Sequence, residues 1–249
     1  MTSLARPGTL RLALLPALVA LGLLGLYLYL HFTPGRLTDS YVLNPTYVTT
    51  RALQHVEITA ISFGLAAVIG VPAGVLVAQS GRLLSIPLFA LANLGQAIPS
   101  IGILALGFTY IGLGIQGAII ALVIYAVLPI LRNTVVGLQG VDRGVVEAAR
   151  GMGMTTAQQL VRVRLPLATP VIFSGLRVSL VLVVGTATLA TFVGGGGLGD
   201  LIAASDYYHP RPILVGAVLV SALALMADWA LGLIERLLTP RTGATRRNP

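Results

Sequence analysis

The chain has 249 residues, 56% hydrophobic and 10% charged, with a formal net charge of +8; soluble domains carry about 25% charged residues, so this composition fits lipid rather than water. All sixteen basic residues are arginine and cysteine is absent, which excludes disulfides, iron–sulfur clusters and thiolate zinc sites. The arginines lack interleaved aromatics, which argues against nucleic acid, and their place between apolar runs points to membrane orientation.

A bilayer core about 30 Å thick needs about 20 apolar residues at 1.5 Å each. Residues 12–30 form the first such run. Arg6 and Arg11 precede it as in a signal peptide, but the run is long for an h-region and "HFTPGR" offers no small-x-small cleavage site, so a retained helix is expected. The polar stretch 33–51 reads as an outer loop and residues 58–78 as the second crossing. Residues 83–114 are too long for one straight helix, and Pro87 and Pro99 each remove a backbone donor. A short interfacial helix, a break at "QAIPS" (96–100) and a third crossing to about residue 113 are expected. Residues 115–131, 167–193 and 213–234 supply the fourth, fifth and sixth crossings. The expected fold is all-α, a polytopic bundle of about six crossings, with residues 1–50 as N-terminal helix and outer loop, 51–236 as core and 237–249 as a cytoplasmic tail.

With the N-terminus inside, this arrangement places twelve arginines in the cytoplasm and three outside, Arg36, Arg51 and Arg211, while Arg177 alone falls within a crossing. The positive-inside rule supports that orientation. It makes residues 142–166 cytoplasmic, a polar island between apolar runs. Asp142 can cap a helix over 143–150 that Gly151 and Gly153 stop. Thr155 and Thr156, each followed three residues later by glutamine, are capping-box-like starts for a second helix, which Pro166 should end. Two short helices about a glycine elbow make a knob suited to a groove on another protein; an interfacial hairpin meeting anionic lipid is the blander alternative.

Within this island Glu147-Ala148-Ala149, Gly153, Val163 and Leu165-Pro166 keep the spacing of the EAA loop, with valine where isoleucine is usual. The segment therefore resembles that of ABC-importer permeases, and the resemblance extends over residues 50–236. "QAIPSIGILALG", "YAVLPILRNT", "LPLATPVIFSGLRVSL" and "GTATLATFVGGGGLGDLI" are most similar to permeases of type I importers for glycine betaine, choline, carnitine and related osmoprotectants, the methionine class being the alternative. The resemblance implies a multi-pass protein of the prokaryotic inner membrane whose Glu147, Ala148, Ala149, Gly151, Gly153, Leu165 and Pro166 couple to a cytoplasmic ATPase. It further implies an extracytoplasmic substrate-binding protein, met at Gly194, Gly195, Gly196, Gly197 and Asp200, and a second permease subunit. A second copy is expected there, a different permease being the alternative. Independently of any resemblance, a P-loop needs a lysine and this chain has none. No cofactor is expected on the chain; ATP and magnesium belong to the partner ATPase.

Ionisable groups at bilayer depth need a partner or a wet cavity. Arg177 and Asp228 lie at compatible depths on antiparallel crossings, and an intramembrane ion pair is expected. Gln96, Ser100, Thr186, Thr188 and Thr191, with the break at Pro99, read either as lining of a translocation path or as polar contacts between helices. His31, His55 and His209 sit at outer ends of different runs, without metal-ligand spacing. An intramembrane enzyme finds no HExxH, GxSxG or carboxylate pair within a run. A secondary transporter would carry its own coupling-ion site, of which there is little sign.

Overall fold

The computed structural model describes residues 7–35, 39–80, 86–87, 89–90, 98–203 and 210–239, all helix or turn with no strand among them. Helix α1 (Pro7–Phe32) is followed by the short α2 (Asp39–Val42) and by α3 (Pro45–Gln79). Then come α4 (Ser100–Ile111), α5 (Ile115–Gln139), α6 (Arg143–Gly151) and α7 (Thr156–Gln159). A π-helical turn (Leu160–Arg164) leads into α8 (Leu165–Thr186), which tightens into a 3₁₀ turn (Ala187–Val193) before α9 (Gly199–Ala203) and α10 (Pro210–Leu238). Five helical stretches are long and apolar enough to cross a membrane, the longest Thr156–Val193 and Pro45–Gln79. Hydrocarbon offers no hydrogen bonds, so each crossing satisfies its backbone within its own helix.

Several boundaries differ from the sequence reading. The second crossing begins at Pro45, because Asn44 accepts from the Thr46 N–H and Pro45 occupies the first turn. Its polar first turns had looked like loop, and a domain boundary at 50/51 falls inside this helix. As the sequence reading expected, the third crossing starts after a proline break. α4 has twelve residues, about 18 Å at the α-helical rise, and starts where Pro99 holds extended geometry. Gly114 nevertheless donates to the Val193 carbonyl at 2.8 Å, while Val77 packs with Leu138 and Leu165 at the opposite end. Among the described residues α4 is thus a shorter apolar helix beside the five long enough to cross, against the about six crossings expected. α5 runs on to Gln139 and α10 to Leu238.

Pro166 does not end a helix. It lies in the first turn of α8, where a proline's missing N–H costs least. The π turn before it closes through the Leu165 N–H to the Leu160 carbonyl, so the helical path continues without interruption from Thr156 to Val193.

α3, α5 and α8 form the centre, with α10 against α8 and α1 outermost against α10. At the outer end Ile58, Leu104, Leu122 and Ala190 are buried together; at the inner end Val77, Val135, Leu138 and Ile172 are. α1 buries little and turns Leu14, Leu18 and Leu21 outward, a lipid-facing surface. Small residues let helices approach where no hydrophobic force acts between them. A methyl group on Gly74 would sit 2.6 Å from Thr134 Cβ and 2.9 Å from the Leu131 carbonyl, whereas one on Gly64 meets open space. Gly74→Ala should therefore destabilise the fold by about 1–3 kcal/mol and Gly64→Ala should be neutral, measured as monodisperse protein recovered after heating in detergent.

Candidate functional site

The end of the bundle formed by residues 142–166 carries the most elaborated local chemistry. Asp142 caps α6 by accepting from the Gly144 and Val145 N–H groups, at 2.7 and 3.2 Å. Met152 closes the helix, and Gly153 follows at φ +79, a left-handed conformation that a side chain would strain. Thr155 and Gln158 then form a full capping box. Gln159, 9% exposed, donates to the Met154 carbonyl at 2.8 Å and closes the elbow from inside. Arg164 reaches 3.0 Å to the Leu138 carbonyl, tying the π turn to the end of α5.

At 100° per residue, α6 has two opposed faces. On one face Ala149 is buried, which anchors the helix, and beside it Val145 and Met152 are 44% and 71% exposed together with Ala148. An exposed apolar face on a rigidly capped helix can seat in a groove of a partner. Arg143, Glu147 and Arg150 lie on the other side, over a cavity of about 540 Å³ that Gln139, Gln159 and Arg164 also line.

At the outer end a polar cluster closes the turn after α8. Asp200 meets Arg51 Nε at 3.0 Å and accepts a hydrogen bond from the Thr191 hydroxyl. Arg51 also donates to Gln54 at 2.8 Å and lies over the Tyr47 ring. The Asp200 side chain, expected at an external contact, is only 17% exposed and faces inward. Gly194, Gly196 and Gly197 have positive φ, and Gly195 is buried. His55 is fully buried beside Gly197. Its Nδ1 accepts the Leu198 N–H at 3.3 Å, so the neutral ring carries its proton on Nε2, which donates to the Val184 carbonyl at 3.0 Å. This one side chain joins α3, the end of α8 and the glycine turn.

Midway, Arg177 Nη1 lies 3.9 Å from Asp228, but its closer partner is Glu235 at 2.6 Å, one carboxylate further along α10. Gly232 lies against the guanidinium between them. Thr188 donates to the Gly185 carbonyl within its own helix, Thr186 is half-buried, and Pro99 and Ser100 start α4. These four do not converge with Thr191 in any cluster of hydrogen bonds. Gln96 lies outside the described residues, as does His209, and His31 stacks on Tyr27.

Sequence reasoning missed His55, Glu235 and Arg211. His55 shares a helical face with Ile58 and Ser62, all three buried, and that spacing was the available signal. Asp228 and Glu235 are seven apart and so also share a face. Arg211, 8% exposed, donates to the Leu30 and Thr33 carbonyls and fastens α1 to α10; no sequence pattern marks it.

Residues 70–240 match the family described as binding-protein-dependent transport system inner membrane component. The choline transport system permease protein OpuBB of Bacillus subtilis is 42% identical over 191 residues, 76% of this chain and 88% of that protein. The carnitine transport permease protein OpuCB of Listeria monocytogenes is 44% identical over 191 residues, covering 76% and 86%. Among solved structures, an inward-facing conformation of the MetNI methionine ABC transporter superposes with a TM-score of 0.67 at 28% identity, over 77% of this chain and 96% of that one.

Two substitutions test these contacts. Arg177→Ala should lower thermal stability in detergent by about 1–3 kcal/mol, between the exposed and buried limits for such pairs. Adding Glu235→Gln should restore more of the loss than adding Asp228→Asn, because Glu235 is the closer carboxylate. His55→Leu removes both hydrogen bonds and leaves two buried backbone groups unpaired, at about 1–3 kcal/mol each. Hydrogen exchange should show faster opening confined to the turn at 194–200 in that variant.

Proposed function

Because the chain belongs to the family of binding-protein-dependent transport system inner membrane components, and is the membrane-spanning permease subunit of an ABC importer, we infer that its cargo is a quaternary ammonium osmoprotectant such as glycine betaine, choline or carnitine. The observation that carries this reading is its identity of 42–44% to permeases named for choline and carnitine transport. The methionine reading is supported by the fold likeness at 28% identity alone.

In this account residues 142–166 couple the permease to a separate ATPase, which supplies ATP and magnesium chemistry this chain does not perform. Glu147, Ala148 and Ala149 sit on the capped helix α6, and Gly151 and Gly153 shape the elbow. Leu165 and Pro166 begin the rod that carries displacement across the membrane. α6 is only nine residues long, so it moves as one piece. The uninterrupted helical path from Thr156 to Val193 then delivers motion to the outer glycine turn, where the substrate-binding protein would release cargo. A second permease subunit completes the path, with Pro99, Ser100, Thr186, Thr188 and Thr191 as its lining on this side. A quaternary ammonium has no N–H to donate and is held best by aromatic faces. Tyr110 and Phe108 are exposed on α4, 83% and 44%, and neither stacks on another ring among the described residues, so solute selection falls to the binding protein and the permease path is weakly selective.

Uptake assays with the reconstituted importer distinguish the cargo classes. Radiolabelled betaine, choline or carnitine should accumulate in an ATP-dependent manner and methionine should not; methionine uptake alone would reverse the assignment. Gly153→Leu, which forces a side chain into a left-handed backbone, should reduce uptake and ATPase association by about 5- to 150-fold, a disruption of about 1–3 kcal/mol, with membrane insertion intact. Normal uptake in that variant would remove the elbow from the mechanism.

A further inference from the structure

Apart from Glu147, the cavity behind α6 is lined by side chains that the coupling role does not use. Arg143, Arg150 and Arg164 border it with one carboxylate, Glu147, so three positive charges against one negative leave +2. Gln139 and Gln159 add amide groups. No carboxylate of the described residues lies within 4 Å of these guanidinia, whereas Arg51 and Arg177 both have one. Arg164 Nε is buried and meets no acceptor among the described residues, while its Nη2 is held by the Leu138 carbonyl. A guanidinium fixed at one nitrogen presents its remaining donors in a rigid fork, the geometry suited to oxyanions.

We propose that this cavity is a binding site for a phosphate group, clamped between Arg164 on the membrane side and Arg143 and Arg150 on α6. Its depth fits a phospholipid headgroup. Arg164 immediately precedes α8, and no charge follows until Arg177. One turn to either side, Val161 and Leu167 are exposed apolar side chains, so the site opens beside a surface that suits acyl chains. Basic pockets between helices on the cytoplasmic face bind anionic headgroups in just this setting, and a free phosphate would satisfy the same donors. Occupancy would brace α6 against the end of α5 from behind, leaving Val145, Ala148 and Met152 free for a partner. The inference rests on the cytoplasmic placement of residues 142–166.

The test is native mass spectrometry of the importer complex released from membranes containing phosphatidylglycerol and cardiolipin, with wild type beside Arg143→Gln, Arg150→Gln and the double variant. Both arginines are exposed on α6, so the variants should fold; Arg164→Gln is added for comparison, since it also loses the Leu138 contact. Wild type should retain an anionic phospholipid on the permease, and retention should fall about fivefold for each arginine neutralised. A second arm titrates inorganic phosphate into delipidated complex. Arginine-dependent phosphate binding without retained phospholipid assigns the same site to a soluble phosphate. The proposal is overturned if neither binds, if binding is unchanged in the double variant, or if that variant keeps its lipid but loses the ATPase subunit, which would put an ATPase carboxylate in the cavity. Absence of the ATPase from the wild-type complex would count against the coupling reading, while the lipid count on the permease still decides the phosphate site.

Discussion

Hydrocarbon cannot hydrogen-bond a peptide group, and that constraint holds the membrane-embedded part of the path from Thr156 to Val193 as one rod. Any break within it would leave backbone groups unsatisfied at a cost of several kcal/mol each. The chain meets the constraint while changing helical register twice, widening to a π turn at Leu160–Arg164 and narrowing to a 3₁₀ turn at Ala187–Val193. Each change is backed by a side-chain hydrogen bond between the rod and a neighbouring helix. Arg164 reaches the end of α5 at the first, and His55 takes the Val184 carbonyl just before the second. A rod supported at both ends can transmit displacement, which a loop could not.

The two ends are built differently, as their tasks would require. The elbow at residues 142–159 is fixed by local caps, Asp142 at one helix and Thr155 with Gln158 at the next, so α6 keeps its shape without deep burial. The outer turn depends on distant partners, His55 and Arg51 on α3 holding Leu198 and Asp200. Motion of α8 relative to α3 would therefore alter the outer turn directly. The Arg177 pair lies between these ends and links α8 to α10 through two carboxylates, so the rod is also tied to the helix beside it.

Much of this was legible in the sequence because it depends on length and spacing. Apolar runs of about 20 residues marked the crossings, and the caps of residues 142–159 stood in the order that short helices need. The start of α3 was misread because polarity was weighed above the Asn44-Pro45 start signal. Pro166 was misread because a proline before a crossing looks like a stop, whereas a π turn just upstream lets it serve as a first-turn residue. Hydropathy carries no information about hydrogen-bond register, so neither the π nor the 3₁₀ turn could be foreseen. Arg177 does pair with Asp228, the partner chosen by depth, at 3.9 Å, and the long guanidinium side chain also reaches the next carboxylate on that face, Glu235, at 2.6 Å. The inward turn of Asp200 follows from the approach of Arg51 and Thr191 in space, which no local pattern encodes.

The absence of cysteine makes the most direct measurement simple, because one introduced thiol is the only one in the permease. A cysteine at Met152, exposed on the apolar face of α6, should crosslink to the ATPase subunit in sealed membranes and stay unlabelled by an impermeant maleimide added from outside. Uptake should stop when the crosslink forms. Labelling from outside, or a crosslink to the ATPase that leaves uptake unchanged, would contradict the account that force enters through this elbow.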